Sequence, residues 1–310
     1  MNNDLKTLPV IDTAACIGCE ACVRVCPDRI LTIDDSGLAG LSGETCMQCG
    51  HCYAVCPVDA IDVPFLETGC ALSTAGDESV GKTARVRPEA LMELLSMRRS
   101  CRCFTGERVG RHILDDLVRA GVTAPSGTNC QPWQFAVLET RADVLELGAA
   151  TAAYYHRLNR QAERPWLRFL LRMVGVHALQ HYYENYYETV RQGLDDWEER
   201  NDDRLFHGAT AAIVVTADAR ASCPREDALM ASQNIVLMAE TMGLGTCLIG
   251  FVVEAARRDR AIEAVLGLEK HQRIYSVIAV GYPDVVYQRP AGRKPVAPQY
   301  VHLAGVYNDT

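Results

Sequence analysis

The spacing of apolar positions divides the chain into three stretches. Up to about residue 66, apolar residues come in short runs broken by cysteine, glycine and proline. LPVID (8–12), ILTID (30–34) and AIDV (60–63) read as short strands; EACVRV (20–25) and GHCYAV (50–55) read as short helical turns. Over residues 67–87 the periodicity disappears and Gly, Ser, Thr and charge dominate, which predicts a linker able to pack along whatever follows it. Longer periods then begin. PEALMELLSMR (88–98) has proline near its first turn and apolar residues at helical spacing; RHILDDLVRAGVTAPS (111–126) is a second amphipathic helix. WQFAVLET (133–140) predicts a strand, residues 141–205 several helices, and TAAIVVTAD (210–218) a buried strand with its β-branched run. REDALMASQNIVLMAETMG (225–243) predicts a long, mostly apolar central helix, and IYSVIAVGYP (274–283) another core strand.

Composition adds compartment and charge. The 310 residues are 48% hydrophobic and 23% charged, values of a globular chain long enough for two domains. No run of eighteen apolar residues suggests a membrane span, and the start lacks a basic segment followed by an apolar one, so a cytoplasmic location is expected. In that setting fourteen cysteines argue for metal ligation or redox chemistry over disulfides. The net charge is −8, and residues 1–68 hold ten acids against three bases. Such an acidic front repels nucleic acid and suits docking to a basic redox partner; a solvated surface is the plainer reading.

Cysteine spacing carries the first chemistry. Cys16, Cys19, Cys22 and Cys26 are repeated as Cys46, Cys49, Cys52 and Cys56, each offset by 30 residues, and both copies read C-x2-C-x2-C-x3-C-P. Iron–sulfur clusters need soft thiolates on a tight loop, and in this spacing the fourth cysteine ligates the other cluster. Cys16, Cys19, Cys22 and Cys56 are thus the expected ligands of one cluster, and Cys46, Cys49, Cys52 and Cys26 of the second. Gly18, Ala21, Gly50 and Ala54 leave room for them. Zinc also takes C-x2-C pairs, but three thiols in one turn crowd a four-ligand ion. Over roughly 5–66 the chain resembles a bacterial-type ferredoxin with two 4Fe–4S clusters.

Four stretches carry the second chemistry: RRSCRCF (98–104), APSGTNCQPWQF (124–135), GLGTCLIGF (243–251) and GYPDVVYQRPAGRKP (281–295). In this order they resemble the nitroreductase family of FMN-dependent enzymes over roughly 88–310. A flavin phosphate wants guanidinium forks and hydroxyls, which Arg98, Arg99, Ser100 and Arg293 offer. The competing reading is a solvated basic helix end. The resemblance implies Arg98, Ser100 and Arg293 at the phosphate and Arg102 at the pyrimidine edge of the ring, where a cation tunes the reduced flavin. It also implies that Cys247, Leu248, Ile249 and Gly250 run along the ring. Pro125, Ser126, Gly127 and Asn129 would come from the partner subunit of a homodimer, closing the FMN site at the interface. Trp133 is expected in the core behind them.

The expected fold class is α+β: an N-terminal ferredoxin-type duplicated βαβ domain (1–66), a linker (67–87), and a nitroreductase-like FMN-binding domain (88–310) with a central mixed or antiparallel sheet surrounded by helices. Cys101, Cys103, Cys130 and Cys247 fall inside the flavin stretches and read first as small buried residues, with redox activity beside a flavin as the alternative. Cys70 reads as an ordinary thiol and Cys223 as structural. The aromatic run with Tyr154, Tyr155, His156, His181, Tyr182, Tyr183, Tyr186 and Tyr187 reads as core or dimer interface, or else as a lid bearing a proton donor. No G-x-G-x-x-G follows a strand, so no dedicated dinucleotide fold is expected. The function expected is an iron–sulfur flavoprotein passing electrons through the clusters to FMN and on to a small conjugated electrophile, such as a nitroaromatic or quinone. Two alternatives stand beside it. NAD(P)H, rather than an external ferredoxin, reduces the flavin directly while the clusters serve as outlet or sensor; or the chain feeds electrons to another protein. Neither nucleic acid nor membrane is an expected partner.

Overall fold

The computed structural model describes residues 8–67, 72–73 and 86–301. The N-terminal part is a structural duplication. Strand β1 (Val10–Ile11), helix α1 (Ala21–Val25) and strand β2 (Leu31–Ile33) are followed by β3 (Ala39–Leu41), α2 (His51–Val55) and β4 (Ile61–Asp62). Strands β1 and β4 pair antiparallel, as do β2 and β3 across a turn held by the Asp34 carboxylate, which accepts from the amides of Ser36 and Leu38. The 30-residue offset of the cysteines recurs in the backbone. Gly18 and Gln48, Glu20 and Gly50, and Arg29 and Asp59 are paired left-handed positions. Burial of Ile30, Leu31, Ala39, Ile61 and Val63 with the thiols of Cys22 and Cys52 forms a small core.

Of the 67–87 linker, Ser73 is described; its amide donates to Asp116 Oδ1 at 2.8 Å, tying the connection to the second unit. Cys70 lies outside the described residues.

The second unit holds α3 (Pro88–Met97), α4 (Arg111–Val122), a 3₁₀ turn (Gly127–Asn129), β5 (Trp133–Leu138), α5 (Arg141–Ala162), α6 (Pro165–Met173), α7 (Ala178–Asn185) and α8 (Tyr187–Arg200). Then come β6 (Ala211–Asp218), α9 (Pro224–Thr241), β7 (Gly245–Leu248), α10 (Gly250–Ala256), α11 (Arg260–Val265) and β8 (Gln272–Gly281). Its sheet is antiparallel in the order β5-β6-β8-β7. The fold is α+β, as expected.

Strand β6 is buried on both faces, which explains its unbroken apolar run. Ala212 and Val214 face a core with α5, α8, α10 and α11; Ala211, Ile213 and Val215 face a second core with α4 and α9. Truncating Ile213 to alanine would cost about 2–5 kcal/mol. Helix α5 starts at a reciprocal cap: Thr140 Oγ1 accepts from the Asp143 amide, and the Asp143 carboxylate accepts from the Thr140 amide.

Four elements lay outside the sequence reading: β3, β7, α10 and α11. Strand β3 contains Gly40, and β7 lies within GLGTCLIG, whose glycines hide a strand that pairs at the sheet edge. Helices α10 and α11, at seven and six residues, are too short to show a period.

Candidate redox and cofactor site

The thiols fall into two groups in space. Cys16, Cys19, Cys22 and Cys56 line one cavity; Cys26, Cys46, Cys49 and Cys52 line the other. The two are equal in size, about 20 Å³ each. Among the described residues no group of three or more His, Cys, Asp or Glu side chains is placed to hold a metal ion. Backbone amides aim at sulfur: Ala39 at Cys16 (3.5 Å), Gln48 at Cys46 (3.3 Å) and Ala60 at Cys56 (3.2 Å). Burial pushes the thiols of Cys22, Cys46 and Cys52 up. Holding them as thiolates needs a compensating cation, which the iron of a cluster supplies.

A second cluster of polar groups lies where 98–104 runs along the sheet edge. Ser100 bridges to Thr246 in parallel, the Cys101 amide donates to Thr246 O at 2.8 Å, and Phe104 bridges to Pro283. This register places Arg98 and Arg102 beside the Cys247 thiol, which burial raises and the two cations draw down. Arg98 also stands by Glu240, whose carboxyl burial pushes up. Arg99 Nη1 is buried with no hydrogen-bond partner, an orphaned cationic donor of the kind a bound anion satisfies. From Cys247 to Gly250 burial alternates: Cys247 and Ile249 point into the core, Leu248 and Gly250 outward. Cys101 is buried against Gly245, where a Cβ would meet its sulfur at 2.7 Å. Arg293 lies apart on the exposed segment after β8, its guanidinium donating to the carbonyls of Ala291 and Gly292.

The 125–131 segment sits at the opposite end of α9. The Gly127 amide donates to the buried Asp227 carboxylate (2.9 Å) in the first turn of α9, and the Gln131 amide to Ser126 Oγ (3.0 Å). Pro125 is exposed and Trp133 is buried behind the turn. Asn129 points at the N-terminal unit: its Nδ2 donates to Met47 O (3.2 Å) and Gln48 O (2.9 Å), inside the loop between Cys46 and Cys49. With a helical rise of about 1.5 Å per residue, Asp227 and Glu240 are roughly 20 Å apart along α9. Within one chain, the arginine corner and the 125–131 segment do not form one site.

Comparison with known proteins bears on both units. Residues 95–282 match the model of the Nitroreductase family, and residues 15–62 that of a 4Fe-4S dicluster domain. The chain belongs to the nitroreductase family. Over 261 residues it is 26% identical to the 4-nitrobenzoate reductase of Nocardioides sp. (strain LMS-CY), covering 77% of this chain and 99% of that protein. A ferredoxin of Pyrobaculum islandicum is 40% identical over 74 residues, 24% of this chain and 69% of its own. A Desulfitobacterium hafniense DCB-2 nitroreductase, solved with bound FMN, superposes with a TM-score of 0.50 at 22% identity over 68% of this chain and 97% of its own, which supports the fold. The protein is therefore a nitroreductase-family oxidoreductase with a dicluster ferredoxin domain at its N-terminal side.

In this nitroreductase Tyr154, Tyr155 and Tyr182 pack together, while Tyr183 and Tyr186 are exposed. Tyr154 and Tyr155 are buried edge to face at 5.0 Å, and Tyr155 stacks with Tyr182. Tyr155 OH donates to Phe251 O (2.9 Å), Tyr182 OH to Asn159 Oδ1 (2.7 Å) and Tyr187 OH to Glu163 Oε1 (2.8 Å). Burial pushes Tyr155 and Tyr182 well above the ordinary phenol value, and burial with the Glu163 contact raises Tyr187 to about 12. A raised value makes Tyr155, Tyr182 and Tyr187 weaker acids than free tyrosine, whereas Tyr183, Tyr186 and His181 stand exposed. Between α5 and α8 lies an apolar cavity of about 230 Å³ with Tyr155, Leu194, Trp197, Phe251 and His207 in its wall.

His207 and the contacts of Asn129 with the cluster loop escaped the sequence reading. His207 is lowered by burial and then by Arg102, which ties the cavity to the arginine corner. Its signal was the dipeptide His207-Gly208, a paired left-handed turn entering β6. Of the cysteines read as small buried residues, Cys101 and Cys247 are buried; Cys103 and Cys130 are exposed, Cys130 held at the α9 end by Asp227.

Proposed function

We propose that the protein is a homodimeric FMN-dependent reductase whose two 4Fe–4S clusters exchange electrons with the flavin. The observation that carries the reading is the orphaned Arg99 donor between Arg98, Ser100 and Arg102 at the sheet edge, in a chain that also holds two four-thiol cavities. FMN, when bound, would supply the conversion between one-electron and two-electron transfer. Arg98, Arg99 and Ser100 would hold its phosphate, with Arg293 brought in by movement of the exposed C-terminal segment. Arg102 would set positive charge against the ring, and the backbone of Cys247, Leu248, Ile249 and Gly250 would border it. Cys16, Cys19, Cys22 and Cys56 would hold one cluster, and Cys46, Cys49, Cys52 and Cys26 the other.

The apolar cavity beside His207 and Phe251 fits a small conjugated acceptor, a nitroaromatic or a quinone. His207 is kept neutral there by burial and by Arg102, so it can accept or donate a hydrogen bond without adding charge. The homodimer reading is supported by exposed apolar residues along one side of α3 and α9: Leu91, Met92, Leu95, Leu229 and Met230. Among the described residues no helix is long and apolar enough to cross a membrane, and we place the reductase in the cytoplasm.

The test is cofactor analysis of the purified protein followed by anaerobic stopped-flow. Iron, flavin and bleaching of both chromophores by a reduced ferredoxin or by NAD(P)H are expected. Protein that purifies anaerobically without flavin, or whose reduced flavin no nitroaromatic or quinone reoxidises, would sink the assignment.

A further inference from the structure

The two cluster loops are alike in sequence and backbone, yet they meet different surroundings. The loop of the first repeat is open: Cys19 is exposed and Ile17 is 62% exposed. That of the second is half-buried at Met47, Gln48 and Cys49, and it touches the second unit through Asn129. Both partners of the Asn129 amide are carbonyl oxygens, so its nitrogen must face them, and both of its protons are used. Its oxygen accepts from Gln131 Nε2 at 3.3 Å. Each side of the contact is conformationally committed. Thr128, Asn129 and Gln131 are left-handed non-glycine residues, and so is Gln48, whose counterpart in the first repeat is Gly18. Such conformations persist where the surroundings over-determine them.

We propose that Asn129 is a positioning residue that docks the Cys46, Cys49, Cys52 and Cys26 cluster so that it serves the flavin of a second copy of the chain, not its own. This rests on the flavin assignment above. The docked loop lies at the first turn of α9, and the arginine corner lies beside Glu240 in its last turns, roughly 20 Å further along the helix axis. Tunnelling rates fall exponentially with distance, which disfavours the path within one chain. A two-fold axis perpendicular to α9 and crossing it near its middle would run the two α9 helices antiparallel, and exposed apolar residues on α3 and α9 are available to such a contact. It then brings the Asn129 end of one protomer to the Arg98 end of the other. Electrons enter at the exposed first cluster from a one-electron iron–sulfur donor protein. Each reduced cluster is oxidised by one electron, and two such transfers, with protons from water, balance the two-electron reduction of the flavin.

Two differently tagged chains test this in mixed dimers, with a reduced two-cluster ferredoxin as the probe. In the first dimer, a Cys46→Ala chain pairs with an Arg98→Ala/Arg102→Ala chain, so the remaining flavin and the remaining intact cluster pair lie on different chains. In the second, a wild-type chain pairs with one carrying all three substitutions, so both lie on the same chain. The expected result is flavin bleaching at the wild-type rate per flavin in the first dimer, and a fall to the rate of the Cys46→Ala homodimer in the second. The reverse pattern, or equal rates, overturns the proposal. Wild-type protein without flavin would instead overturn the cofactor assignment on which it rests. A readout independent of turnover is hydrogen exchange in Asn129→Ala, which leaves every cysteine in place. Loss of two neutral hydrogen bonds should speed exchange at amides 47–50 by roughly thirtyfold. Unchanged exchange there would refute the docking role.

Discussion

The two halves of the ferredoxin domain carry the same chemistry and differ in what they face. In both, two cysteines precede a five-residue helix that carries the third, and the fourth follows in extended conformation, with ψ of 111° at Cys26 and 116° at Cys56. The first half keeps glycine at the left-handed position 18; the second places glutamine at 48 in the same conformation and hands its carbonyl to Asn129. The difference teaches that two halves with the same ligand pattern can be told apart by a tertiary contact, here that of Asn129 with the second loop.

The sharpest way to break the comparison is to make the first half like the second. A Cβ at Gly18 would meet the backbone oxygen of Gly37 at 2.2 Å, and no flexible side chain is there to yield. Gly18→Gln should therefore cost on the order of 4 kcal/mol. Bound iron should drop to about half, with the signal of only one cluster left in the electron paramagnetic resonance spectrum. The crossed thiol groups predict that Cys26→Ala leaves the same surviving signal as Cys46→Ala, and Cys56→Ala the same as Cys16→Ala.

A smaller effect separates docking from folding. Asn129→Ala removes two neutral hydrogen bonds, a loss of about 2 kcal/mol in docking. Asn129→Asp should be worse, because an acceptor-only carboxylate would face two carbonyls. Hydrogen exchange at amides 47–50 should rank the chains wild type, Ala, Asp from slowest to fastest, and an Asp variant slower than Ala would break that ordering.

His207, beside the arginine corner, offers a pH test. Its folded value lies below the ordinary 6.5, because of burial and then Arg102. Above 6.5 it is neutral in both the folded and the unfolded chain. As pH falls below 6.5 the unfolded chain takes up the proton first, so stability declines until the lowered folded value is reached. Denaturant titrations should show a shallower decline in His207→Gln over that window.

How much was legible depended on the range of the interaction. The cysteine spacing encoded both ligand groups because a cluster loop is local. The strand 210–218 was plain because burial on both faces leaves an unbroken apolar run. The β7 strand was hidden, since Gly245 is there to admit Cys101 from a segment 144 residues away, a contact no local period records. The family resemblance implies a flavin role for Asn129, together with Pro125, Ser126 and Gly127, but carries no sign of its contact with the cluster loop. Its hydrogen bonds run 81 and 82 residues back to the cluster loop, so only tertiary structure discloses them.

The mildest perturbation is the reverse exchange, Gln48→Gly. A left-handed non-glycine residue carries about 1–2 kcal/mol of strain, and glycine removes it at an entropic cost of about 0.5–1 kcal/mol in the unfolded chain. The substitution should leave stability unchanged or raise it by up to about 1.5 kcal/mol, and the backbone carbonyl at position 48 would still be present for Asn129. If the glutamine side chain itself held the loop, stability and docking would both fall. Guanidinium melts together with hydrogen exchange at amides 47–50 therefore distinguish a backbone contact, which tolerates glycine at 48, from a side-chain contact, which does not.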